Sequence, residues 1–502
     1  MCFRKVTALV IMAVVGSGIA WSAGQQTAPA AQREGGEVVT VLTGGWFNTN
    51  YEAVRSTSYI AEQTDTVIRV ISTAWTDYLA RQQILMASGD YPEIMVINDN
   101  GRELEFATSG VLLPLNDHWG RYPNIRASRD EDTWGVMRHP DGNVYAVPTS
   151  QATGDGTPMH QERFTLYRQD WLDEYGLSIP TTVSEYLEMA RFIVSTDPDG
   201  TGVFAIGGRD AELGWFDHIF TAFGVRPNMW LERNGEIISG TVAEGMEDAL
   251  RLLNQMWNEG LIDPEWITDN PARWRQKLVT GLHAMPYTFG HIIDSNNVSG
   301  GYYQEFKDSV PHGSFTIGTM LTAPGYEDVA FGGDILSRRG WMRTSIVSRA
   351  PNVQAALRVL DFATSDAGTM LYNYGLEGDH YDVRADGSVD FFATEEQIAE
   401  FGINLRHLPI VRTVSWGHAT PEYQAFMKEW NQFREGDATD MFLIPEVARY
   451  QPELRDYTNR ELVKFIVGDN PIDGGFEQFV REYNRRGGEQ LSAALNAAHK
   501  AR

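Results

Sequence analysis

Tyr167–Gly202 reads YRQDWLDEYGLSIPTTVSEYLEMARFIVSTDPDGTG, and the rest of the chain is interpreted from it. Phe164 to Tyr167 leads in as a short strand. Asp170 is placed to cap a helix running through Tyr175, and Gly176 stops it in the left-handed conformation. Pro180 separates this helix from the next. Thr182 and Glu185 form a capping box, each side chain satisfying a backbone N–H that the helix start leaves without a partner. Val183, Tyr186, Leu187, Ala190 and Val194 then share one helical face. A strand followed by two amphipathic helices is α/β patterning.

Upstream, the same alternation begins at Val38–Thr43, a buried strand, followed by the loop Gly44–Asn48 and a helix over Tyr51–Gln63. Val67–Ser72 is a second strand, Tyr78–Ala87 a helix, and Ile94–Ile97 a third strand that ends in Asn98-Asp99-Asn100. Alternating strands and helices make a parallel sheet, and ligands of open parallel sheets bind beyond the carboxyl ends of the strands. Trp46, Asn48, Asn98 and Asp99 all fall at such ends. The competing readings are turn formation for the Asn and Asp residues and packing for Trp46.

Downstream, Thr241 and Glu244 suggest a second capping box, before a face of Val242, Met246, Ala249, Leu250, Leu253 and Trp257. Trp257 on that stripe reads as core. Phe315–Leu321 alternates as a strand, and Thr344–Val347 is another strand. Ser365 caps a helix that Gly375 ends.

Asp197, Asp199 and Thr201, followed by Gly202, match the opening of a calcium-binding loop. Its twelfth position is Gly208, where a closing carboxylate belongs. Three side-chain oxygens make a weak site, and a solvated turn explains the same residues. No cofactor is expected.

The length exceeds one ordinary core and implies two lobes. A formal net charge of −26 disfavours nucleic acid and anionic membrane surfaces, which need basic residues to neutralise phosphate. The 14 Trp supply either core or flat apolar faces for sugar rings, depending on position. Arg4 and Lys5 precede an apolar run from Ala8, too short to span a bilayer, and Ser22-Ala23-Gly24 offers small residues for cleavage. Residues 1–24 therefore read as a signal peptide and 25–36 as a flexible lead. The single cysteine, Cys2, precedes the apolar run, whereas a lipid-anchoring signal needs one after it.

Several strings are more specific than their patterning. R-x-D-W-L-x-x-x-G-L-x-x-P-T-T at Arg168–Thr182 is joined by ASGDYPEI at Ala87, DGNVYAVP at Asp141, EGLIDPE at Glu259 and YNYGLEGDHY at Tyr372. Together they resemble the family 1 extracellular solute-binding proteins, the receptors of ABC importers for sugars and oligosaccharides. The resemblance runs in order over roughly residues 38 to 500. It implies two α/β lobes of the periplasmic-binding-protein type, closing on a ligand by hinge rotation. The first lobe would comprise 37–148 plus about 316–372, and the second 149–315 plus about 373–502. Trp215 and Tyr287 would face the cleft, with Trp341 and Glu377 completing the candidate ligand set. Some family members hold calcium at the Asp197 loop. Partners would be a carbohydrate and the permease subunits, for a periplasmic monomer with no catalytic residues. Acidic sugars are within the family's range, and Arg338 and Arg339 beside Trp341 could serve them or be surface charges. A secreted carbohydrate-active enzyme or a sugar sensor remains an alternative, although no GxSxG, HExxH, CxxC or phosphate-loop pattern appears.

N-terminal sequencing of exported protein is expected to begin near Gly24 or Gln25. Recovery of Met1 would contradict the signal-peptide reading.

Overall fold

The computed structural model describes residues 36–44, 50–73, 75–148, 163–289, 292–293, 302–332, 339–340, 342–384, 389–403, 426, 430, 433 and 435–501. Strands are numbered in chain order. β1 (Glu37–Gly44), β2 (Thr66–Thr73), β3 (Ile94–Ile97), β4 (Val147–Pro148) and β10 (Arg343–Ile346) form one sheet in the order β2-β1-β3-β10-β4. β1 is parallel to β2 and β3, while β10 runs antiparallel to β3 and β4. All four residues of β3 are buried, as a strand covered on both faces requires. One face packs Val39, Val41, Ile94 and Ile346 against Trp134, Leu357 and Leu360. The other packs Leu42, Met95 and Ile97 against Tyr78, Phe106 and Tyr145.

The second lobe is built on β8 (Tyr287–Phe289), β5 (Arg163–Arg168) and β9 (Phe315–Ile317), with β5 central and antiparallel to both neighbours. β6 (Trp230–Arg233) and β7 (Glu236–Ser239) make a separate hairpin, as do β11 (Tyr381–Val383) and β12 (Val389–Phe391) on the first lobe. The larger, mainly helical core of the second lobe joins the Val183–Thr196, Met246–Asn258 and Pro445–Val467 helices. Among the described residues no helix is long and apolar enough to cross a membrane.

The Tyr167 block folds largely as its sequence indicates. Gly176 closes the Gln169–Tyr175 helix at φ 65°, and the Thr182–Glu185 capping box is formed in both directions. Asp170 does not cap. It sits inside the first turn, where its carboxylate accepts from Arg168 Nε at 2.8 Å and Nη2 at 2.6 Å and from the Ser314 N–H. The Thr241 box does not form either. That helix starts at Met246 behind Gly245, and Thr241 Oγ1 instead accepts from the Asn228 N–H.

Two lobe boundaries differ from those expected. Phe315–Ile317 pairs with β5 inside the second lobe, and Leu321 and Ala323 lie in that lobe's core, so the return crossing comes after Phe331. Ile398, Phe401 and Ile403 pack in the first-lobe core, which therefore extends past 372. The cause is the same in both places: strand pairing and apolar contact assign a segment to a lobe, and neither depends on distance along the chain.

A buried charge cluster ties the first lobe together. Glu103, on the Asn100–Thr108 helix, is fully buried and meets Arg339 Nη2 at 2.6 Å, Arg343 Nε at 2.5 Å and His139 Nε2 at 2.9 Å. Arg339 also donates to the Val136 carbonyl. Burial by itself would raise the Glu103 carboxyl. The guanidinium groups and His139 more than offset it and hold the group well below the usual carboxylate range. Its contribution is therefore present at neutral pH and is lost only as pH falls well below the unfolded value of about 4.3.

Replacing Glu103 with Gln leaves two buried guanidinium groups without their counter-charge. A loss of about 3–5 kcal/mol is expected, visible as a clear fall in melting temperature at pH 7. An unchanged melt would show that the cluster does not hold the lobe.

Candidate functional site

Antiparallel register places Arg343 opposite Ile97, at the carboxyl end of β3, and Pro148 beside Arg343. The crossings thus leave and enter the first sheet at the carboxyl ends of its parallel strands. The first crossing arrives in the second lobe at Arg163, the start of β5, which pairs with Phe289 at the end of β8. The sheet ends joined by the crossings are where an open α/β lobe presents a ligand.

Asn98 and Asp99 lie at this end of the first lobe. Asn98 holds a buried Oδ1 without a partner among the described residues. Asp99 is the N-cap of the Asn100–Thr108 helix, accepting from the Arg102 N–H at 2.8 Å, and it stands 3.6 Å from Arg455. The adjacent Asn100 donates to Asp440 Oδ1 at 3.0 Å. A Cβ on Gly101 would lie 2.9 Å from Ala448 Cα. The Asn100–Thr108 and Pro445–Val467 helices therefore touch backbone to backbone, and Asp99 serves capping and this contact.

Trp215 lies on a short helical turn, Leu213–Phe216, that packs against β8, the strand that Tyr287 opens. Neither is an open stacking face. Trp215 is 0% and Tyr287 1% exposed. The Arg163 guanidinium covers the Trp215 ring at 4.2 Å, Trp274 packs beside it at 4.6 Å, and a Cβ on Gly208 would lie 2.6 Å from its Cγ. Tyr287 is stacked on His218 at 4.8 Å. Burial pushes the His218 imidazole down to about 3, so it is neutral, and Tyr186 Oη lies 3.2 Å from its Nε2. Glu377 is exposed beside the β11–β12 hairpin, bridged to Tyr381, and no described contact joins it to the other candidates. Trp46, Asn48 and Trp341 lie outside the described residues, as does Arg338. Arg339 is no surface charge, being enclosed with Glu103.

Three residues at this end were not singled out from sequence: Arg163, Arg209 and Trp274. Arg209 lies 5.3 Å from the Trp215 ring and 5.9 Å from Trp274. Isolated arginines carry no periodicity, and the bridge from Ile206 to Ile262 that sets this loop exists only in the folded chain.

In the Asp197 loop the carboxylates are turned to other donors. Asp197 accepts from the Thr201 and Gly202 N–H groups. Asp199 accepts from Arg168 Nη2 at 3.1 Å and from Trp171 Nε1 at 3.4 Å. The Gly208 backbone is pressed against Trp215. Among the described residues no three His, Cys, Asp or Glu side chains are grouped to hold a metal ion. Asp263, from the EGLIDPE string, is likewise structural: it accepts from Lys277 Nζ at 2.7 Å and faces His283 Nε2 at 3.0 Å.

Comparison with known proteins agrees with this architecture. The chain is 23% identical over 469 residues to the fructooligosaccharide ABC transporter substrate-binding protein FusA of Streptococcus pneumoniae, covering 82% of this chain and 81% of that one. It is 21% identical over 436 residues to the polygalacturonan/rhamnogalacturonan-binding protein YtcQ of Bacillus subtilis, covering 84% and 83%. Among solved structures, the alginate-binding protein AlgQ2 without calcium ion superposes with a TM-score of 0.74 at 17% identity, over 93% of this chain and 99% of that one. An EF-hand mutant of FusA in complex with fructo-nystose superposes at 0.70, also at 17% identity and with the same coverage. The profile of the bacterial extracellular solute-binding proteins matches residues 49–370, well over half of the chain. On that match and its two α/β lobes, the chain belongs to the bacterial extracellular solute-binding protein family.

Proposed function

We propose that this protein is the extracytoplasmic carbohydrate receptor of an ABC importer, capturing an oligosaccharide between its lobes and delivering it to the permease. The observation that carries this reading is coverage. The likeness to substrate-binding relatives runs along most of both chains, so it takes in both lobes rather than one module of the chain. Capture needs no bond broken. Closure removes water from sugar hydroxyls, and any hydroxyl left without a partner is penalised, which sets specificity. In this reading the mature protein is a periplasmic monomer without an enzymatic activity, a cofactor or a resident calcium ion.

Two measurements test it. On a glycan array followed by calorimetry, the mature protein should bind an oligosaccharide, with a smaller radius of gyration in solution when the ligand is present. Release of shortened products from that ligand would make it an enzyme instead.

Chelation should leave the melting temperature nearly unchanged, because a bound ion stabilises only the folded state that holds it. A loss of several degrees, restored by calcium, would show that the Asp197 loop is loaded.

A further inference from the structure

The sheet ends joined by the crossings concentrate guanidinium groups, in a chain whose formal net charge is −26. On the second lobe Arg163 and Arg209 lie over Trp215, with only 13% and 22% of their side chains exposed. Each has a carboxylate neighbour: Glu212 at 3.1 Å from Arg163, and Asp210 beside Arg209. Those carboxylates are 44% and 42% exposed, so the pairs are solvated and individually weak. Arg209 Nε is buried with no hydrogen-bond partner among the described residues. On the first lobe Arg343, on β10 opposite the end of β3, is already taken up by the buried Glu103, so the second-lobe pair carries the argument.

A neutral sugar does not require this. Its hydroxyls are served by Asn, Asp and backbone groups, and partly burying a guanidinium costs solvation that a hydroxyl repays poorly. A carboxylate repays it, because the planar fork of arginine matches two carboxylate oxygens. Stacking on an indole holds that fork in one orientation. Building on the carbohydrate-receptor reading, we propose that the ligand is an acidic oligosaccharide bearing uronate carboxylates, which Arg209 and Arg163 pair in exchange for Asp210 and Glu212, over the Trp215 and Trp274 rings.

The test is an array carrying uronate oligosaccharides (oligogalacturonate, alginate and hyaluronan fragments) beside neutral and sulfated glycans, then calorimetry on the best binder. Uronate glycans should bind best. Raising salt from 50 to 500 mM should weaken them clearly, and Arg209→Gln should weaken them at least about tenfold with little change in melting temperature. The salt series on the unaltered protein tests the same pairing if the variant does not fold. Binding confined to neutral or sulfated glycans, or uronate affinity indifferent to both salt and Arg209→Gln, overturns the proposal and leaves a carbohydrate receptor. Binding of no glycan overturns both readings.

Discussion

Glu103 is a carboxylate with no water to solvate it, and the first lobe is arranged around that fact. Its partners come from distant parts of the chain: His139 from the end of the Glu131–Met137 helix, Arg339 from the return crossing, and Arg343 from β10. Removing any one of them would leave a buried charge exposed to a low-dielectric surround. The cluster thus pins the returning strand to the sheet that the first 148 residues build. It also fixes the Asn100–Thr108 helix, whose first turn meets the Pro445–Val467 helix through Gly101 and Ala448. The contact between lobes and the core of one lobe share a single helix.

Arg168 does similar work in the second lobe. Its side chain is fully buried, stacked on Trp171 at 3.9 Å, and joins Asp170 to Asp199. Burial alone would raise the Asp170 carboxyl, but Arg168 and the Ser314 N–H more than offset it and hold it low. The DPDGTG turn is therefore fastened to the sheet by a guanidinium. Asp199, one of the three side-chain oxygens that open the calcium-like loop, is thereby committed to Arg168 and Trp171.

The aromatic residues at the Trp215 end of the second lobe are covered, with none of them an open stacking face. Trp215 and Trp274 form a floor, and the arginines above them form the surface. Gly208 and Gly214 keep that floor close, since a Cβ on either would meet Trp215 or Arg163 Nη1 within 3 Å. Cation–π contact and burial reinforce one another here: the rings lower the local dielectric, which strengthens the field of the guanidinium groups above them.

What the sequence determined by itself was local. The Thr182–Glu185 box, the Gly176 and Gly375 stops and the Ser365 cap are contacts among residues a few positions apart, so their spacing is enough to read them. The strand–helix alternation and the two-lobed class were legible for the same reason, and the specific strings added the family. The tertiary structure decided the rest. Phe315–Ile317 looks like any alternating strand, and only its pairing with β5 assigns it to the second lobe. Thr241 and Glu244 have the right spacing for a cap, but the backbone turns helical only after Gly245. Trp215 and Tyr287 were expected to be open faces of a cleft, and their burial depends on Arg163, Trp274 and His218, which approach from elsewhere. Whether a ring is wall or floor depends on what covers it, and the covering residues are chosen by packing, which leaves no spacing in the chain to read.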